Sequence, residues 1–253
     1  MNKVATGIRV ALAFVALVTL SIAMIPLAVV LLPWRAARVR VFNVTARVLA
    51  IVVIGIAGVK LVIRQGDRMR SSFPAIYVTN HVSAFDVFLG MRLAPPGAMG
   101  IMTSGVSRVP GYGIIYRLSG HAIIDRAHAR DAVTVMREVG EFVKANGLGV
   151  WILPEGSRSD DGRLRRFKTG FVQLAIDTGL PVVPVVLHGV HRLWSRKRFP
   201  TLETRTIEVD VLPAVDTSGW RTESRRAHAA EVRVLFAAVL HDDQKPIDSI
   251  QPD

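Results

Sequence analysis

Ala75-Ile-Tyr-Val-Thr-Asn-His-Val-Ser-Ala-Phe-Asp-Val-Phe-Leu-Gly-Met-Arg-Leu93 reads as a strand, a turn and a helix in immediate succession. The apolar run Ala75 to Thr79 has the character of a buried strand, and Val87 to Leu93 that of a helix whose natural N-cap is Asp86. His81 then lies in the turn at the strand's carboxyl end, five residues before Asp86. On an ideal helix, residues five apart point about 140° away from each other, so contact requires the turn to fold the ring back onto the carboxylate. Asn80 and Ser83 supply the turn chemistry that permits this. A carboxylate on one ring nitrogen fixes the tautomer and stabilises imidazolium, which leaves the other nitrogen to take a proton from a hydroxyl. That is two-thirds of a hydrolase triad, with a substrate hydroxyl in place of an enzyme serine. The plainer alternative is that Asp86 only caps a helix and His81 only fills a turn.

Working outward, short apolar runs alternate with amphipathic stretches from residue 74 onward, the signature of βαβ units. The expected strands are Ala75 to Thr79, Ala98 to Met102, Ala122 to Ile124, Leu148 to Leu153, Val182 to Leu187 and Thr206 to Leu212. Helical spacing relates Ala132, Val135, Met136, Val139, Phe142 and Val143, and Phe171 to Ile176 and Ala229 to Leu240 are further helices. The fold class is therefore α/β, a mostly parallel central sheet flanked by helices, with an N-terminal membrane-embedded two-helix hairpin. From Asp242 onward the tail reads as frayed. The length of 253 residues suits one catalytic domain with an appendage.

The appendage is apolar. Residues 10–34 carry no charge, enough helix to reach across about 30 Å of hydrocarbon and too long for a signal-peptide core. A second apolar stretch, Val48 to Ile63, is interrupted only by Lys60 and is short for a full span. The link between them holds Arg35, Arg38, Arg40 and Arg47 and no acid, which favours the cytoplasmic side. A hairpin bent at Pro26 within one leaflet and a single span with the N-terminus outside both satisfy that rule. The division is residues 1–64 as anchor and 65–253 as catalytic domain, at the cytoplasmic face of the inner membrane. Lys and Arg together number 32 against 20 acidic residues, a net charge of +12, so the partner is anionic. With half the residues hydrophobic, lipid is favoured over nucleic acid, for which aromatic interleaving and a recognition motif are missing. The chain has no cysteine, which excludes disulfides and thiolate chemistry, and its seven histidines show no metal-ligand spacing.

Ligand sites of open α/β sheets gather in loops at the carboxyl ends of strands, and three such loops here are rich in polar residues. The first holds His81. The second is Gly120-His121-Ala122-Ile123-Ile124-Asp125-Arg126. The third is Pro154-Glu155-Gly156-Ser157-Arg158-Ser159, continuing through Arg163, Arg165, Arg166 and Lys168, a concentration of cations suited to an anion.

In this order the loops resemble the lysophospholipid acyltransferase family, in particular bacterial 1-acylglycerol-3-phosphate acyltransferases. Asn80-His81 to Asp86 matches the family's His-x4-Asp block, Gly120 to Arg126 the second block, Leu153 to Ser159 the Pro-Glu-Gly-Ser/Thr-Arg-Ser block, and Val183-Pro184-Val185-Val186 the fourth. The lysine that the family often carries about twenty residues after the histidine has no counterpart in Met99 to Ser104. The resemblance implies that His81 is a general base oriented by Asp86. It also implies that Asn80, Ser83, Arg126, Glu155, Gly156, Ser157, Arg158 and Lys168 contact substrate. The implied reaction moves an acyl chain from acyl-CoA or acyl-carrier protein to the free hydroxyl of 1-acylglycerol-3-phosphate, with no cofactor and no metal. Lyso-ornithine lipid, another lysophospholipid and a glycolipid precursor are alternative acceptors.

Overall fold

The computed structural model describes residues 3–125, 129–194, 200–201 and 206–247. Two apolar helices, α1 (Lys3–Ala23) and α2 (Ile25–Val30), are separated at Met24. Pro26 sits in the first turn of α2, where its missing N–H leaves no intrahelical bond unmade. Helix α3 (Arg35–Ala57) returns along α1 and ends at Gly58, whose φ of 70° gives a left-handed cap that a side chain would strain.

The chain then enters a seven-stranded sheet of order β1-β7-β6-β2-β5-β3-β4. The strands are β1 (Lys60–Arg64), β2 (Ile76–Thr79), β3 (Ala98–Thr103), β4 (Ala122–Ile124), β5 (Gly149–Ile152), β6 (Val182–His188) and β7 (Thr206–Val211). All neighbouring pairs are parallel except β6 with β7. β2, β5 and β6 are buried throughout, as continuous apolar runs in a covered parallel sheet should be. Connecting them are α4 (Arg68–Ser71), α5 (Asp86–Leu93), α6 (Tyr112–Leu118), α7 (Ala129–Asn146), α8 (Gly170–Thr178), α9 (Val190–Leu193) and α10 (Arg225–Val239). Alternation along β2 divides the core. Tyr77 joins Phe42, Val53, Leu89 and Trp151 on the face covered by α3 and α5, while Ile76 and Val78 join Val143, Phe171 and Phe236 beneath α7, α8 and α10.

The six expected strands are all present. The N-terminal reading changes in three respects. β1 falls inside the segment expected to be anchor and pairs with β7 from Lys60↔Thr206 to Arg64↔Asp210. α3 begins at Arg35 rather than near Val48, so the arginine-rich link is itself helix. Its arginines also point at the domain. Arg38 donates to Leu118 O at 2.6 Å, Arg40 to Asn146 O at 2.9 Å and Arg47 to Ala94 O at 3.0 Å, the carbonyls that end α6, α7 and α5. Arg35 donates to Gly120 O at 3.1 Å. Helix C-termini carry unpaired carbonyls and partial negative charge, so guanidinium groups there satisfy both. At the other end of the chain the tail expected to fray from Asp242 is docked through Lys245, with Gln244 fully buried.

The expected consequence separates two truncations. Removing residues 1–34 leaves α3 in place and should leave a folded, detergent-soluble domain with a cooperative thermal transition. Removing residues 1–64 strips an edge strand and the buried Val39, Phe42, Leu49, Val53 and Ile54. At about 1.5–3 kcal/mol per buried side chain that loss is on the order of a whole domain's stability, so this truncation should give no cooperative transition. Equal transitions in the two truncated proteins would show that α3 is only an attachment.

Candidate active site

The turn after β2 does fold the ring back. His81 Nδ1 lies 2.9 Å from Asp86 Oδ2. The same oxygen accepts the main-chain N–H groups of Val82 at 2.7 Å and Ser83 at 2.8 Å. Asp86 is 1 % exposed, and its other oxygen, Oδ1, has no partner among the described residues. Asp86 is therefore the first residue of α5 and not its N-cap. Its side chain points back into the turn, and the cap position, Phe85, makes no side-chain bond to the helix. With Nδ1 held as the protonated nitrogen, Nε2 of the neutral ring is an acceptor, and the side chain is 18 % exposed.

Asn80 and Ser83, expected to touch substrate, are both fully buried and spend their polar atoms on the fold. The Asn80 carboxamide donates to Leu187 O at 3.0 Å and accepts from Leu187 N at 2.8 Å, tying the turn to β6. Ser83 Oγ donates to Trp194 O at 2.6 Å and accepts from Phe85 N at 3.0 Å. A turn of irregular backbone needs such bracing, since its own main chain forms few regular bonds.

The third loop closes over the first. Glu155, 4 % exposed, accepts His81 N–H at 2.8 Å through Oε1 and Arg165 N–H at 3.2 Å through Oε2, and Ser159 N–H reaches His81 O at 3.1 Å. Glu155 thus holds main chain on two loops, where the sequence reading gave it a contact with substrate. Burial pushes its carboxyl up to about 8, against the pull of those two N–H groups. At Gly156 φ is 75°, and a Cβ would stand 2.8 Å from Lys168 Cε, so glycine lets the Lys168 stem cross the loop. Ser157 Oγ accepts from Arg165 at 2.7 Å, and Arg158 is half-buried beside it. Arg165 had no special standing in the sequence; the run of cations marked the loop without distinguishing its members. In the second loop His121 Nδ1 accepts Gly100 N–H at 3.1 Å, and burial depresses its ring to about 4, so it stays neutral. Arg126 lies outside the described residues.

Two concavities border the partners of His81. A cavity of about 280 Å³ is lined by Leu20, Met24, Leu49, Met91 and Leu153 and reaches Asp86. A groove of about 870 Å³ is lined by Arg163, Arg165, Arg166 and Lys168 and reaches Glu155. His81 hydrogen-bonds a residue at each, Asp86 at the apolar cavity through its ring and Glu155 at the basic groove through its main-chain N–H.

The acyltransferase family model matches residues 60–188. The 1-acyl-sn-glycerol-3-phosphate acyltransferase of Limnanthes alba is 34 % identical over 221 residues, 87 % of this chain and 78 % of that protein. The Cocos nucifera protein of the same name is 34 % identical over 96 % of this chain and 78 % of its own length. In fold, the chain is similar to the crystal structure of the 1-acyl-sn-glycerophosphate acyltransferase PlsC from Thermotoga maritima. The TM-score is 0.71 at 21 % identity, covering 91 % of this chain and 94 % of that one.

The raised Glu155 value fixes a sign. A carboxyl that holds its proton more tightly folded than unfolded contributes stability that is fully present below about 4.5 and lost as the pH rises toward about 8. The thermal midpoint of the wild type minus that of Glu155→Gln should therefore fall between pH 5 and pH 8.5, by an amount on the order of a few kcal/mol in stability. A difference that stays flat or rises would contradict the burial of a protonated Glu155.

Proposed function

The chain belongs to the acyltransferase family that includes these lysophosphatidate enzymes, and on that premise we propose that it acylates the free hydroxyl of 1-acylglycerol-3-phosphate. The acyl group comes from a thioester, acyl-CoA or acyl-carrier protein, and the products are phosphatidate and a free thiol. The observation that carries the reading is the pair of hydrogen bonds from His81 to Asp86, which lines an apolar cavity, and to Glu155, which lines a basic groove, an arrangement suited to a lipid with a phosphate at one end.

In the reaction, His81 Nε2 takes the proton of the acceptor hydroxyl as its oxygen attacks the thioester carbonyl. Asp86 Oδ2, in contact with Nδ1, stabilises the imidazolium that forms. Collapse of the tetrahedral intermediate breaks the C–S bond, and the imidazolium returns its proton to the departing thiolate. No acyl-enzyme is required, because the thioester is already activated and Ser83 Oγ is engaged with Trp194 O. Arg158, with Arg165 and Lys168 along the groove, takes the acceptor phosphate, and the apolar cavity takes hydrocarbon. Val15 and Ile22 of α1, Val30 of α2, Trp34 at the N-cap of α3, and Val48 and Ile51 of α3 are exposed, which fits burial of these apolar side chains in lipid. We place the chain at the cytoplasmic face of the inner membrane, with α3 between the bilayer and the sheet.

An acceptor screen with labelled acyl donor and mass-spectrometric readout tests the substrate. His81→Ala should abolish transfer to lysophosphatidate and leave the thermal transition in place, and Asp86→Asn should be severe but leaky. Near-wild-type turnover by His81→Ala would sink the mechanism. Arg158→Ala should lower turnover or affinity about ten- to a hundredfold, the loss of one charge-assisted bond of roughly 1.5–3 kcal/mol, and Lys should rescue it poorly. Slow transfer to a neutral monoacylglycerol should survive that change. Equal losses on both acceptors would assign Arg158 to the fold or to the donor.

A further inference from the structure

Beyond α10 the chain returns to the carboxyl end of β6, outside the segment that matches the family model. Gln244 there is 0 % exposed. Its Oε1 accepts Gly189 N–H at 2.7 Å, its Nε2 donates to Leu187 O at 3.3 Å, and its own main-chain oxygen accepts Leu164 N–H at 2.8 Å. Two of these contacts, those with Leu187 and Leu164, lead toward the reaction centre through one or two further residues. Leu187 O is also the acceptor for Asn80 Nδ2, next to His81. Leu164 is followed by Arg165, whose N–H holds Glu155, which in turn holds His81 N–H.

The neighbouring groups reinforce the same joint. Arg163 donates to Asp242 O at 3.4 Å and Lys245 O at 2.9 Å, so the basic loop and the strap grip each other from both sides. The buried Arg233 of α10 donates to Leu164 O at 3.2 Å and Arg165 O at 3.0 Å. Asp243 holds Arg192 and, at 3.3 Å, His191, fixing the strap to α9 just past β6. A carboxamide buried to this degree has no solvent to replace a lost partner, so its removal leaves Gly189 N–H unpaired in the interior.

We propose that Gln244 is a positioning residue for acyl transfer, its carboxamide and main-chain oxygen together locking the His81 turn and the basic loop in one register. The proposal rests on the acyl-transfer reading for its kinetic consequence and on the hydrogen-bond geometry alone for its structural one. Placement of a base to within an ångström governs rate steeply, so the effect belongs mainly in kcat.

The test uses the full-length protein in detergent with Gln244→Met, which keeps side-chain length and apolar bulk and removes both hydrogen bonds, alongside Gln244→Ala. Amide hydrogen exchange is followed by mass spectrometry in peptides covering residues 80–85 and 157–166, and steady-state kinetics are measured with lysophosphatidate. Expected for the Met variant are an unchanged far-ultraviolet spectrum, exchange in both peptides faster by about tenfold or more with β3 unaffected, and kcat down by about tenfold with the donor KM within about twofold. Wild-type exchange in both peptides, or full restoration of kcat by Met, would overturn the proposal and reduce Gln244 to packing. If the Ala variant does not fold, the Met variant decides. The exchange measurement needs no acceptor, so a wild type that fails to acylate lysophosphatidate refutes the substrate reading while the exchange result still supports or overturns the coupling.

Discussion

One buried oxygen, Asp86 Oδ2, takes the His81 ring and the N–H groups of Val82 and Ser83 within 2.9 Å, and the arrangement of the site follows from it. Burying a carboxylate costs several kcal/mol, and bonds to an ionised acceptor return roughly 1.5–3 kcal/mol each. The turn therefore cannot relax without stranding a charge. The constraint spreads outward through packing. Asp86 opens α5, α5 is covered by α3, and α3 is fixed to the domain by guanidinium groups on the carbonyls that end three helices. From the opposite side Asn80 ties the same turn to β6 and Glu155 ties it to the basic loop.

What the sequence displayed was whatever depends on local pattern. Most of the six strands were visible because a covered parallel sheet demands unbroken apolar runs, Thr206–Val211 because its apolar residues alternate with polar ones, and the turn between Thr79 and Asp86 because its polar residues interrupt a run. β1 was hidden for the same reason: Lys60-Leu-Val-Ile-Arg64 follows an apolar helix after a single capping glycine, and hydropathy does not register the change from helix to strand. Tyr112–Leu118 escaped because seven residues, mostly apolar, offer too little periodicity. The main-chain bonds of Asn80, Ser83 and Glu155 were not legible, because polar residues in a turn look alike in sequence whether they face substrate or main chain. Burial alone separates the two cases. Gln244 gave no signal, since its partners lie 55 and more residues away in the chain.

Charge had the same ambiguity. A net charge of +12 suggested an anionic partner, yet Arg35, Arg38, Arg40, Arg47 and Arg233 donate to main-chain carbonyls inside the molecule. In the Glu155–Lys168 loop Arg163 does the same, whereas Arg165, Arg166 and Lys168 have exposed side chains. They line an open groove, and the loop is bent by Gly156 and held from behind by the C-terminal strap, which leaves their charge facing outward. An apolar cavity at Asp86 and this groove at Glu155 are what the proposed amphiphilic acceptor requires.

The central claim is that Asp86 holds His81 with its proton on Nδ1, so that Nε2 is free to act as a base. Nitrogen-15 resonance of the histidine side chains in the detergent-solubilised protein reads this directly, with His81 assigned by its disappearance in His81→Ala. The account predicts a neutral ring protonated at Nδ1, with the Nε2 resonance that of an unprotonated, pyridine-like nitrogen, and loss of that preference in Asp86→Ala. A His81 ring protonated at Nε2, or one whose tautomer is indifferent to Asp86, would contradict it.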